Sequence, residues 1–558
     1  MNVDFYFSRV VVRNFRGIAE LTVDISVDAP TVLVGPNNAG KSTVLDAIGL
    51  CLQSAKFSKY VPDDRDFWTD DKSTISDEFC IEVHFTVRGG GSLPAVKGGI
   101  GDPTYVHGIR TVGSRLEPSI TRYLIDETGS NIMLTVSVPI SKARKDEFKG
   151  SGLGGRRFAR VMDISKWLPT IFQLDSQNLY SSLYVWASGP LQRLMKVYRA
   201  HLSEDSWLVE GKASQKMPEL LERLHSYLND KVLQSPYWND TISQELAAKL
   251  QDYLGRSSGV TIRPQLGAIE EWLKAEMLFR ISPGTGLAAV DSKRLGEGWQ
   301  SLIRLAALEV VMKLEDFNVL LLMEEPETFL HPHLRRRMRR VFDTLQSNNS
   351  QALFTTHSSE FISFSRSQDI IRLQMTPVGV EQHRYQTATA GQALKDEEKL
   401  QEYGTHEVVF ASLVVLSEGK DDRFAICQGL KAIGLDCDAE SISVIGASGV
   451  GNLPDYARLC STLGIPWLAV HDMDMVEGQQ KRLTAAVHQE LQGIKGARDV
   501  ILTWDNTLEE VLNCPNGKAT PEWTLSVYGE KTWAQMKTDP DLRKYSTTME
   551  AIKTFCTP

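Results

Sequence analysis

The chain has 558 residues, a formal net charge of −9, and apolar and charged fractions that are ordinary for a soluble globular protein. This length predicts two or three domains, and the acidic balance excludes a surface that attracts nucleic acid everywhere. Seven scattered cysteines without a C-x-x-C pair, no apolar run of about 18 residues and no signal-like start favour a cytoplasmic protein with reduced thiols.

Short β-branched runs between residues 7 and 33 predict strands that lead into a glycine-rich loop, and residues 42–52 have helical spacing. Further strands are predicted at 79–84 and 132–138. From about residue 175 to 279, apolar positions recur every three or four residues, which predicts an all-helical insertion suited to dimerisation. No sustained heptad repeat is present, which argues against a long coiled-coil arm.

The alternation of strands and helices returns at about residue 286 and continues to 376. A polar passage over 387–403 predicts a linker. After it, strands at 408–416, 442–445 and 467–470 alternate with helical stretches, which is typical of a small, largely parallel sheet.

The glycine-rich loop is a complete G-x-x-x-x-G-K-[ST] sequence between a predicted strand and a predicted helix. In such loops backbone N–H groups surround the β-phosphate, the lysine neutralises phosphate charge and the serine hydroxyl ligates Mg²⁺. The loop therefore predicts an ATP site with Mg²⁺. Its candidate binding residues are Gly35, Asn37, Asn38, Gly40, Lys41, Ser42 and Thr43.

A second buried strand, predicted over 318–323, ends in two acids. Glu324 is placed to hold the water shell of the metal, and Glu325 is placed to polarise the attacking water. A third strand ends in His357, which is suited to sensing the γ-phosphate, and Gly298 lies where a helix start could cap a phosphate. Taken singly, His357 and the Gly296–Gly298 pair are as readily a structural histidine and a plain helix start.

The order of these motifs resembles the ABC-type ATPases of DNA metabolism, the group of RecF, Rad50 and SMC proteins, and Asn14-Phe15-Arg16 is similar to the N-terminal strand of that group. The resemblance implies a dimer in which the signature helix of one subunit covers the ATP of the other. Glu324 stands where many members have aspartate, and Glu297 stands where a signature serine contacts the γ-phosphate. A carboxylate there argues against fast ATP turnover and favours ATP as a clamp or gate.

Acids cluster in the last quarter of the chain. A predicted strand at 413–416 leads to Glu418, with Asp422 four residues later, and another strand leads to Asp472 and Asp474. Acids at the carboxyl ends of parallel strands converge at the edge where such sheets place their sites. Carboxylate ligands suit Mg²⁺ or Mn²⁺, and two such ions can stabilise both oxygens of a phosphodiester displacement.

The E-G-x-x-D strand end followed by D-x-D resembles a Toprim domain, the module shared by topoisomerases, primases and some nucleases. Glu509 is similar to the Leu-Glu element that follows D-x-D in that family, although an exposed helical acid is an equal reading. Lys531 is the first candidate for a basic residue that stabilises the leaving group, ahead of Lys553 and Lys518. Acids after strands are also common as solvated loop residues, and His471-Asp472 lacks spaced histidines that would complete a metal phosphohydrolase site.

An ABC cassette joined to a C-terminal Toprim domain resembles the OLD (overcoming lysogenization defect) family of nucleases, including Gabija-type subunits and retron-associated effectors. The sequence from Glu324 to Pro332 is especially similar to this family. The expected fold is α/β, with an ABC-type ATPase that carries a helical insertion, followed by a Toprim domain with a small parallel sheet. The expected bounds are 1–174 and 283–385 for the ATPase, 175–282 for the insertion, 386–405 for the linker and 406–558 for the Toprim domain.

This resemblance implies an ATP-regulated, divalent-metal-dependent DNA endonuclease of bacterial anti-phage defence, assembled as a homodimer or homotetramer. It also implies a helicase-like partner or a reverse transcriptase with its DNA–RNA product. Glu325, His357, Glu418, Asp472 and Lys531 would act in catalysis. Metal would be held by Ser42 in the ATPase and, in the Toprim domain, by Glu418, Asp422, Asp472, Asp474 and Glu509.

Two basic runs are candidates for DNA contact, residues 335–340 and the arginines at 156, 157 and 160, although a solvated helix face is an equal reading. The alternative function is a non-nucleolytic, ATP-switched DNA clamp or repair scaffold with a degenerate Toprim domain. A topoisomerase or primase is disfavoured, because no region resembles a DNA-gate domain with a nucleophilic tyrosine, and little length remains for a synthesis module.

Overall fold

The structure is a computed structural model. It describes residues 5–53, 60–70, 72–87, 104–116, 118–135, 170–174, 241–254, 259–265, 276–282, 290–291, 319–328, 350–362, 369–376, 379–386, 389–401, 407–473, 482–504, 507–514 and 519–557, together with several shorter stretches. Within these ranges, every helix is too short or too polar to cross a lipid bilayer. All seven cysteines carry free thiols.

The N-terminal part of the chain is built mainly from strands. In chain order its elements are β1 (Phe5–Phe15), β2 (Ile18–Asp24), β3 (Thr31–Val34), α1 (Lys41–Leu52), β4 (Glu78–Val87), β5 (Ala95–Val96), β6 (Thr104–Tyr105), β7 (Gly108–Ser114), β8 (Ser119–Ile125), β9 (Asn131–Thr135), β10 (Thr170–Leu174), α2 (Gln244–Leu254), β11 (Gly259–Gln265), β12 (Glu276–Ser282), β13 (Val290–Asp291), β14 (Val319–Glu324), β15 (Gln351–Thr355), β16 (Asp369–Thr376) and β17 (Gly379–Arg384).

Two six-stranded sheets enclose α1. The first is antiparallel, with strand order β2-β1-β4-β7-β8-β9, and the second has the order β10-β14-β15-β3-β16-β17. In the second sheet the neighbours from β10 to β16 are parallel, and only β17 is antiparallel. Both sheets bury apolar side chains against α1, including Phe7, Val44 and Leu322. The parallel strands β3, β14 and β15 therefore end at one edge, beside the glycine-rich loop.

The stretch from 175 to 282 departs from the sequence prediction. Helix α2 fits the predicted helical insertion, but β11 and β12 form an antiparallel pair that β13 extends to three strands. The expectation of an all-helical insertion is thus wrong for residues 259–265 and 276–282. Apolar residues recur at every second position of these strands, where Val260 pairs with Ile281 and Ile262 pairs with Phe279. This two-residue period is typical of a strand, and the Leu-rich surroundings obscured it in the sequence.

The C-terminal part alternates helices with parallel strands. Its elements are α3 (Ala390–Gln401), β18 (Leu413–Ser417), α4 (Lys420–Ala432), β19 (Ile442–Gly446), α5 (Leu453–Thr462), β20 (Trp467–Asp472), β21 (Met475–Val476), β22 (Gln479–Gln480), α6 (Arg482–Ile494), β23 (Val500–Trp504), α7 (Leu508–Val511), α8 (Pro521–Glu530), α9 (Trp533–Thr538) and α10 (Arg543–Cys556). The main sheet has the order β19-β18-β20-β23, all parallel. The predicted α/β fold with a small parallel sheet is confirmed.

Two local predictions in this part are wrong. The polar passage expected to be a linker contains helix α3, which buries Ala393 and Asp396. Residues Val408–Phe410, expected to begin a strand, form a short 3₁₀ turn before β18. The acid Asp396 is held by the hydroxyl of Tyr385, at 2.6 Å, and by the amide of Gln392, at 2.8 Å. Such side-chain pairing stabilises a helix whose composition looks like that of a linker.

Glu82, on the central strand β4 of the antiparallel sheet, is a buried carboxylate surrounded by a histidine and two arginines. His84 hydrogen-bonds it at 3.2 Å, Arg110 donates to it at 2.9 Å, and Arg13 lies 3.3 Å away. The hydrogen bond to His84, with the charges of Arg110 and Arg13, lowers the pKa of Glu82 from 4.5 to about 2. A carboxylate with a depressed pKa stabilises the fold above its unfolded pKa and loses that contribution as pH falls.

Replacing Glu82 with glutamine is therefore expected to destabilise the protein at pH 7 by on the order of 2–3 kcal/mol. The difference in unfolding free energy between variant and wild type should narrow as pH falls from about 5 towards 3. In that range the carboxyl of the unfolded wild-type chain takes up a proton, while the folded chain, in which the pKa of Glu82 is about 2, keeps its carboxylate ionised. Calorimetric unfolding at several pH values measures it, with Glu20→Gln as an exposed control on β2. An unchanged gap at pH 3 and pH 7 would show that Glu82 contributes packing alone.

Candidate functional site: a phosphate loop and an acidic sheet edge

The glycine-rich loop begins, directly after β3, at a position that has no room for a side chain. Gly35 has a φ of 133°, and a Cβ there would lie 2.1 Å from the carbonyl oxygen of Leu373 on β16. Lys41 is buried, and its Nζ donates to the carbonyl oxygens of Gly35, at 2.9 Å, and Pro36, at 2.7 Å. Burial lowers the pKa of Lys41 to about 8. The lysine thus shapes the loop whose backbone would receive a phosphate.

The rest of the predicted loop residues lie around this lysine. Asn37, Asn38 and Ser42 are exposed to solvent, and Asn38 has a left-handed φ of 61° that keeps the turn tight. Ser42 and Thr43 belong to the first turn of α1, behind Gly40. A helix that begins at such a loop presents its N–H groups to an anion. Glu297 and Gly298 lie outside the described residues.

The acids after β14 face the same loop. Glu325 has a left-handed φ of 44°, and its N–H donates to the carbonyl and hydroxyl oxygens of Thr355, at 3.1 and 3.2 Å. Its Oε1 lies 3.7 Å from Nε2 of His357. The charges of Glu325 and Glu324 both act on the buried Lys41. The strand ends therefore bring the predicted acids, histidine and lysine to one place.

Glu327 is a residue of this site that the sequence analysis did not single out. Its Oε1 accepts hydrogen bonds from the hydroxyl of Thr356, at 2.8 Å, and from the N–H of His357, at 2.5 Å. Burial raises its pKa. Glu327 thus fixes the backbone that carries His357. The Glu-Glu-Pro-Glu sequence was the available signal, since it places a third acid two residues after the predicted pair.

The second group of acids meets at the carboxyl edge of the parallel sheet. Oε1 of Glu418, at the end of β18, accepts a hydrogen bond of 2.7 Å from the backbone N–H of Asp472, at the end of β20. Oδ2 of Asp422 accepts one of 3.2 Å from the N–H of Gly419. Glu509, at the start of α7, lies close enough to act on Asp422. The structure therefore gathers Glu418, Asp422, Asp472 and Glu509, whereas Asp474 lies outside the described residues.

Comparisons with known proteins identify both domains of the chain. Residues 409–474 match the family described as "Overcoming lysogenization defect protein-like, TOPRIM domain", and residues 6–151 and 191–362 match the AAA ATPase domain. The chain is 25% identical over 485 residues to the OLD nuclease of Thermus scotoductus, which covers 84% of this chain and 82% of the relative. The chain belongs to the OLD family of nucleases.

Another relative is the Old nuclease of Escherichia phage P2, 21% identical over 80% of this chain and 74% of the relative. Among solved structures, an Smc head bound to the C-terminal winged-helix domain of ScpA covers 69% of this chain and 99% of its own, at 14% identity and a TM-score of 0.45. In this OLD-family chain, the matched ATPase and Toprim regions follow each other in the predicted order.

The acids at the Toprim edge suit a divalent cation in their chemistry. Burial, together with the nearby charges of Glu509 and Asp421, raises the pKa of Asp422 to about 6. A bound cation offsets such repulsion, and oxygen-only ligands favour Mg²⁺ or Mn²⁺. Within the described part of the chain, no three acidic, His or Cys side chains form a ready-made metal cluster. Closure around a cation therefore requires small movements or the participation of Asp474.

The structure pairs His471, in β20, with a histidine that the sequence analysis missed. Nδ1 of His471 lies 2.9 Å from the carbonyl oxygen of Asp472, so this nitrogen carries the proton. Nε2 of His471 shares a second hydrogen bond with Nδ1 of His488 on α6, at 3.0 Å. The histidine pair thus holds the backbone carbonyl group of Asp472 through the ring of His471. A separation of 17 residues gives no local periodic signal, which is why the sequence did not indicate it.

Lys531 does not show the role predicted for it in its described contacts. Lys531 follows α8, and its Nζ is paired with Asp539, which follows α9. Lys553 donates to the carbonyl oxygen of Ile433, at 2.9 Å, which is the far end of α4 from Asp422. Lys518 lies outside the described residues. A basic residue beside Glu418 and Asp472 stays a prediction, and the described contacts of Lys531 and Lys553 do not place either lysine there.

Gly446, the last residue of β19, lies against the loop that carries Glu418. A Cβ at this position would lie 2.6 Å from the carbonyl oxygen of Gly419. The contact is with backbone, so it cannot be relieved by a side-chain rotation. Gly446 is therefore required by close packing of β19 against the turn after β18.

A Gly446→Ala substitution is expected to displace Gly419 and with it Glu418, at a stability cost of roughly 1–3 kcal/mol. We expect the rate of DNA cleavage to fall at least about tenfold, because displacements near 1 Å in a site have such effects. ATP hydrolysis should be unchanged. Gly493→Ala, where a Cβ would meet nothing within 4 Å, is the control. Equal cleavage by the two variants would contradict the prediction.

Proposed function

We propose that this OLD-family chain is an ATP-regulated, divalent-metal-dependent DNA endonuclease. The observation that carries the proposal is the 2.7 Å hydrogen bond from the Asp472 N–H to Glu418, which brings the ends of β18 and β20 together. Glu418 and Asp472 come from sequence positions 54 residues apart. A purely structural sheet has no need for acids at both of these ends.

The Toprim acids support this chemistry through their placement. Glu418 and Asp472 share the hydrogen bond, while Asp422 returns to Gly419, the residue next to Glu418. Each carboxylate has several lone-pair positions, so one amide hydrogen bond leaves capacity for a cation. When bound there, Mg²⁺ or Mn²⁺ would neutralise phosphodiester charge and lower the pKa of a water molecule. Glu418, Asp422, Asp472, Asp474 and Glu509 would hold it.

The ATPase residues support binding and hydrolysis of ATP at a second site. In the proposal Lys41 turns from its own loop carbonyls to the phosphates, and Ser42 binds Mg²⁺ with Glu324 near its water shell. Glu325 orients water, and His357 responds to the γ-phosphate. His357 has its backbone fixed by Glu327 and its ring beside Glu325, which supports a sensing role. ATP then acts as a gate for cleavage.

Other parts of the proposal concern the setting. We propose cytoplasmic action in bacterial anti-phage defence, by a homodimer or homotetramer whose subunits complete each other's ATP sites. A helicase-like protein, or a reverse transcriptase with its DNA–RNA product, would be the partner. Of the basic run 335–340, the structure describes only Arg335, which lies 3.8 Å from Glu360. The residues at 156, 157 and 160 lie outside the described part.

Incubation of the purified protein with supercoiled plasmid tests the proposal. Reactions contain Mg²⁺, Mn²⁺ or a chelator, each with no nucleotide, ATP, ADP or a non-hydrolysable ATP analogue. We expect nicked and linear DNA only where a divalent cation is present, at a rate that changes with the nucleotide. Intact plasmid under every condition, combined with ATP-dependent DNA binding, would instead support the clamp with a degenerate Toprim domain.

A further inference from the structure

One buried arginine joins the two domains. Arg372 lies on β16 of the ATPase sheet and is fully buried. Its two terminal nitrogens cross to the Toprim domain, where one donates to the carbonyl oxygen of Ala411, at 2.6 Å, and the other to that of Leu463, at 3.4 Å. The second nitrogen also donates to Gln374 on its own strand, at 2.8 Å. A single planar group thus spans the domain boundary.

The two carbonyl groups lie shortly before the two strands that lead to Glu418 and Asp472. Ala411 lies two residues before β18, and Leu463, at the C-terminal end of α5, lies four residues before β20. These strands are parallel neighbours, with Val414 beside Trp467. A rigid strand carries a displacement of its first residue to its last. Arg372 therefore holds the segments that lead into both strands, whose far ends meet at Glu418 and Asp472.

On its other side, Arg372 borders the phosphate loop. It pairs in register with Val34 of β3, the residue immediately before Gly35. The next residue along β16, Leu373, has the carbonyl oxygen that leaves no space at Gly35. After burial itself, the positive charge of Arg372 is among the causes that lower the pKa of Lys41. Arg372 therefore lies one strand away from the residue that precedes the phosphate loop.

A second contact links the domains beside the first. The ring of His357 packs on the ring of Phe410, with centroids 5.8 Å apart and planes tilted by 35°. Phe410 immediately precedes Ala411, whose carbonyl group Arg372 holds. His357 in turn lies near Glu325. The two contacts converge on the same two residues in front of β18.

Stability alone does not account for this arrangement. Burial lowers the pKa of Arg372 to about 10, and its described hydrogen bonds all end on neutral oxygens. Desolvating a cation is costly, and an apolar residue of similar volume often stabilises a buried position better. The guanidinium does provide planar, directional contacts to two strands at once, which an apolar side chain does not.

We propose that Arg372 is a positioning residue for the Toprim acids and that, together with Phe410, it transmits the nucleotide state of the phosphate loop to Glu418 and Asp472. The inference rests on the proposed function and deepens it. Nucleotide binding would shift β16 and His357, and the shift would move the starts of β18 and β20 as a pair. The distance between their acidic ends would change as a result.

Hydrogen–deuterium exchange and plasmid cleavage together test this inference on the full-length protein, with and without a non-hydrolysable ATP analogue. The variants are Arg372→Lys, which reaches fewer acceptors, and Phe410→Ala, which removes the ring without touching the buried charge. Arg458→Lys is the matched control, since Arg458 pairs with Asp455 and Glu490 on the Toprim surface. In wild type and control, we expect the analogue to alter exchange at 413–417 and 467–472.

In Arg372→Lys and Phe410→Ala, the analogue should still bind but should no longer alter exchange in those strands. The nucleotide-dependent ratio of cleavage rates should fall from a coupling of about fivefold or more to within about twofold of one. Cleavage without nucleotide by Phe410→Ala should stay within about threefold of wild type, because the acids are untouched.

Two outcomes overturn the inference. In the first, the ATP analogue leaves the exchange rates of both strands unchanged in wild type. In the second, both variants respond to the analogue as fully as wild type does. Failure of the proposed function looks different. In that case wild type leaves plasmid intact with every metal, while the exchange measurement still reports whether nucleotide reaches β18 and β20. The two proposals are thereby tested separately.

Discussion

Replacing Glu418 with glutamine is expected to lower the rate of DNA cleavage by about 10²–10³-fold while leaving ATP hydrolysis within about twofold of wild type. The glutamine oxygen can still accept the hydrogen bond from the Asp472 N–H, so the strand ends should stay together. What is lost is the negative charge that attracts a divalent cation. Initial rates on supercoiled plasmid at saturating Mn²⁺ measure the effect.

The matched control is Glu440→Gln, which removes one negative charge from an exposed position of the same domain. We expect this variant to cleave DNA at the wild-type rate. Thermal unfolding of both variants separates loss of chemistry from loss of fold. If Glu418→Gln cleaves as fast as Glu440→Gln, then Glu418 does not take part in the reaction.

Replacing Lys41 with alanine is expected to lower ATP hydrolysis by about 10²–10³-fold, because the lysine neutralises charge on the transferred phosphoryl group. In the structure its Nζ is held by Gly35 and Pro36, so the substitution also leaves two loop carbonyl oxygens without this donor. Phosphate release, with binding of a fluorescent ATP analogue, measures the two effects. Cleavage in the absence of nucleotide should be retained.

Lys72→Ala, at an exposed position of the ATPase domain, is the control for loss of a lysine. It should hydrolyse ATP at the wild-type rate. Normal hydrolysis by Lys41→Ala would mean that the phosphate loop is not the site of ATP turnover. Loss of cleavage without nucleotide in this variant would mean that the loop supports the Toprim fold as well as gating it.

Much of the fold follows from local sequence patterns. The apolar strands around the phosphate loop and those before Glu418 and Asp472 are short, buried and bounded by glycine or acids, so their periodicity is clear. The parallel Toprim sheet follows from the alternation of such strands with helices. These features depend on neighbours in sequence, which is why they could be predicted.

What the sequence did not reveal depends on distant partners. Helix α3 looked like a linker because its few buried groups, such as Asp396, are stabilised by residues outside the helix, including Tyr385. Strands β11 and β12 were hidden in a Leu-rich stretch and are defined by their pairing with each other. Tertiary contacts overrode local propensity in both cases.

The candidate site divides in the same way. Glu418, Asp422 and Asp472 could be proposed as a group because they lie at or just after the carboxyl ends of two strands of one parallel sheet. His488 and Arg372 could not, since the first reaches the site from 17 residues away and the second from the other domain. The lysine predictions relied on resemblance alone, and Lys531 is engaged with Asp539 instead. Contacts between side chains on different helices and strands leave no pattern in the local sequence, so only the three-dimensional structure reveals them.

The most direct test of the central claim is the anomalous scattering of Mn²⁺ in crystals of the protein soaked with that cation. The account predicts a peak at the carboxyl edge of β18 and β20, with oxygens of Glu418 and Asp472 as ligands and Asp422 within reach. A saturated crystal with no peak at this edge, and manganese bound at the phosphate loop alone, would contradict a metal-dependent Toprim site.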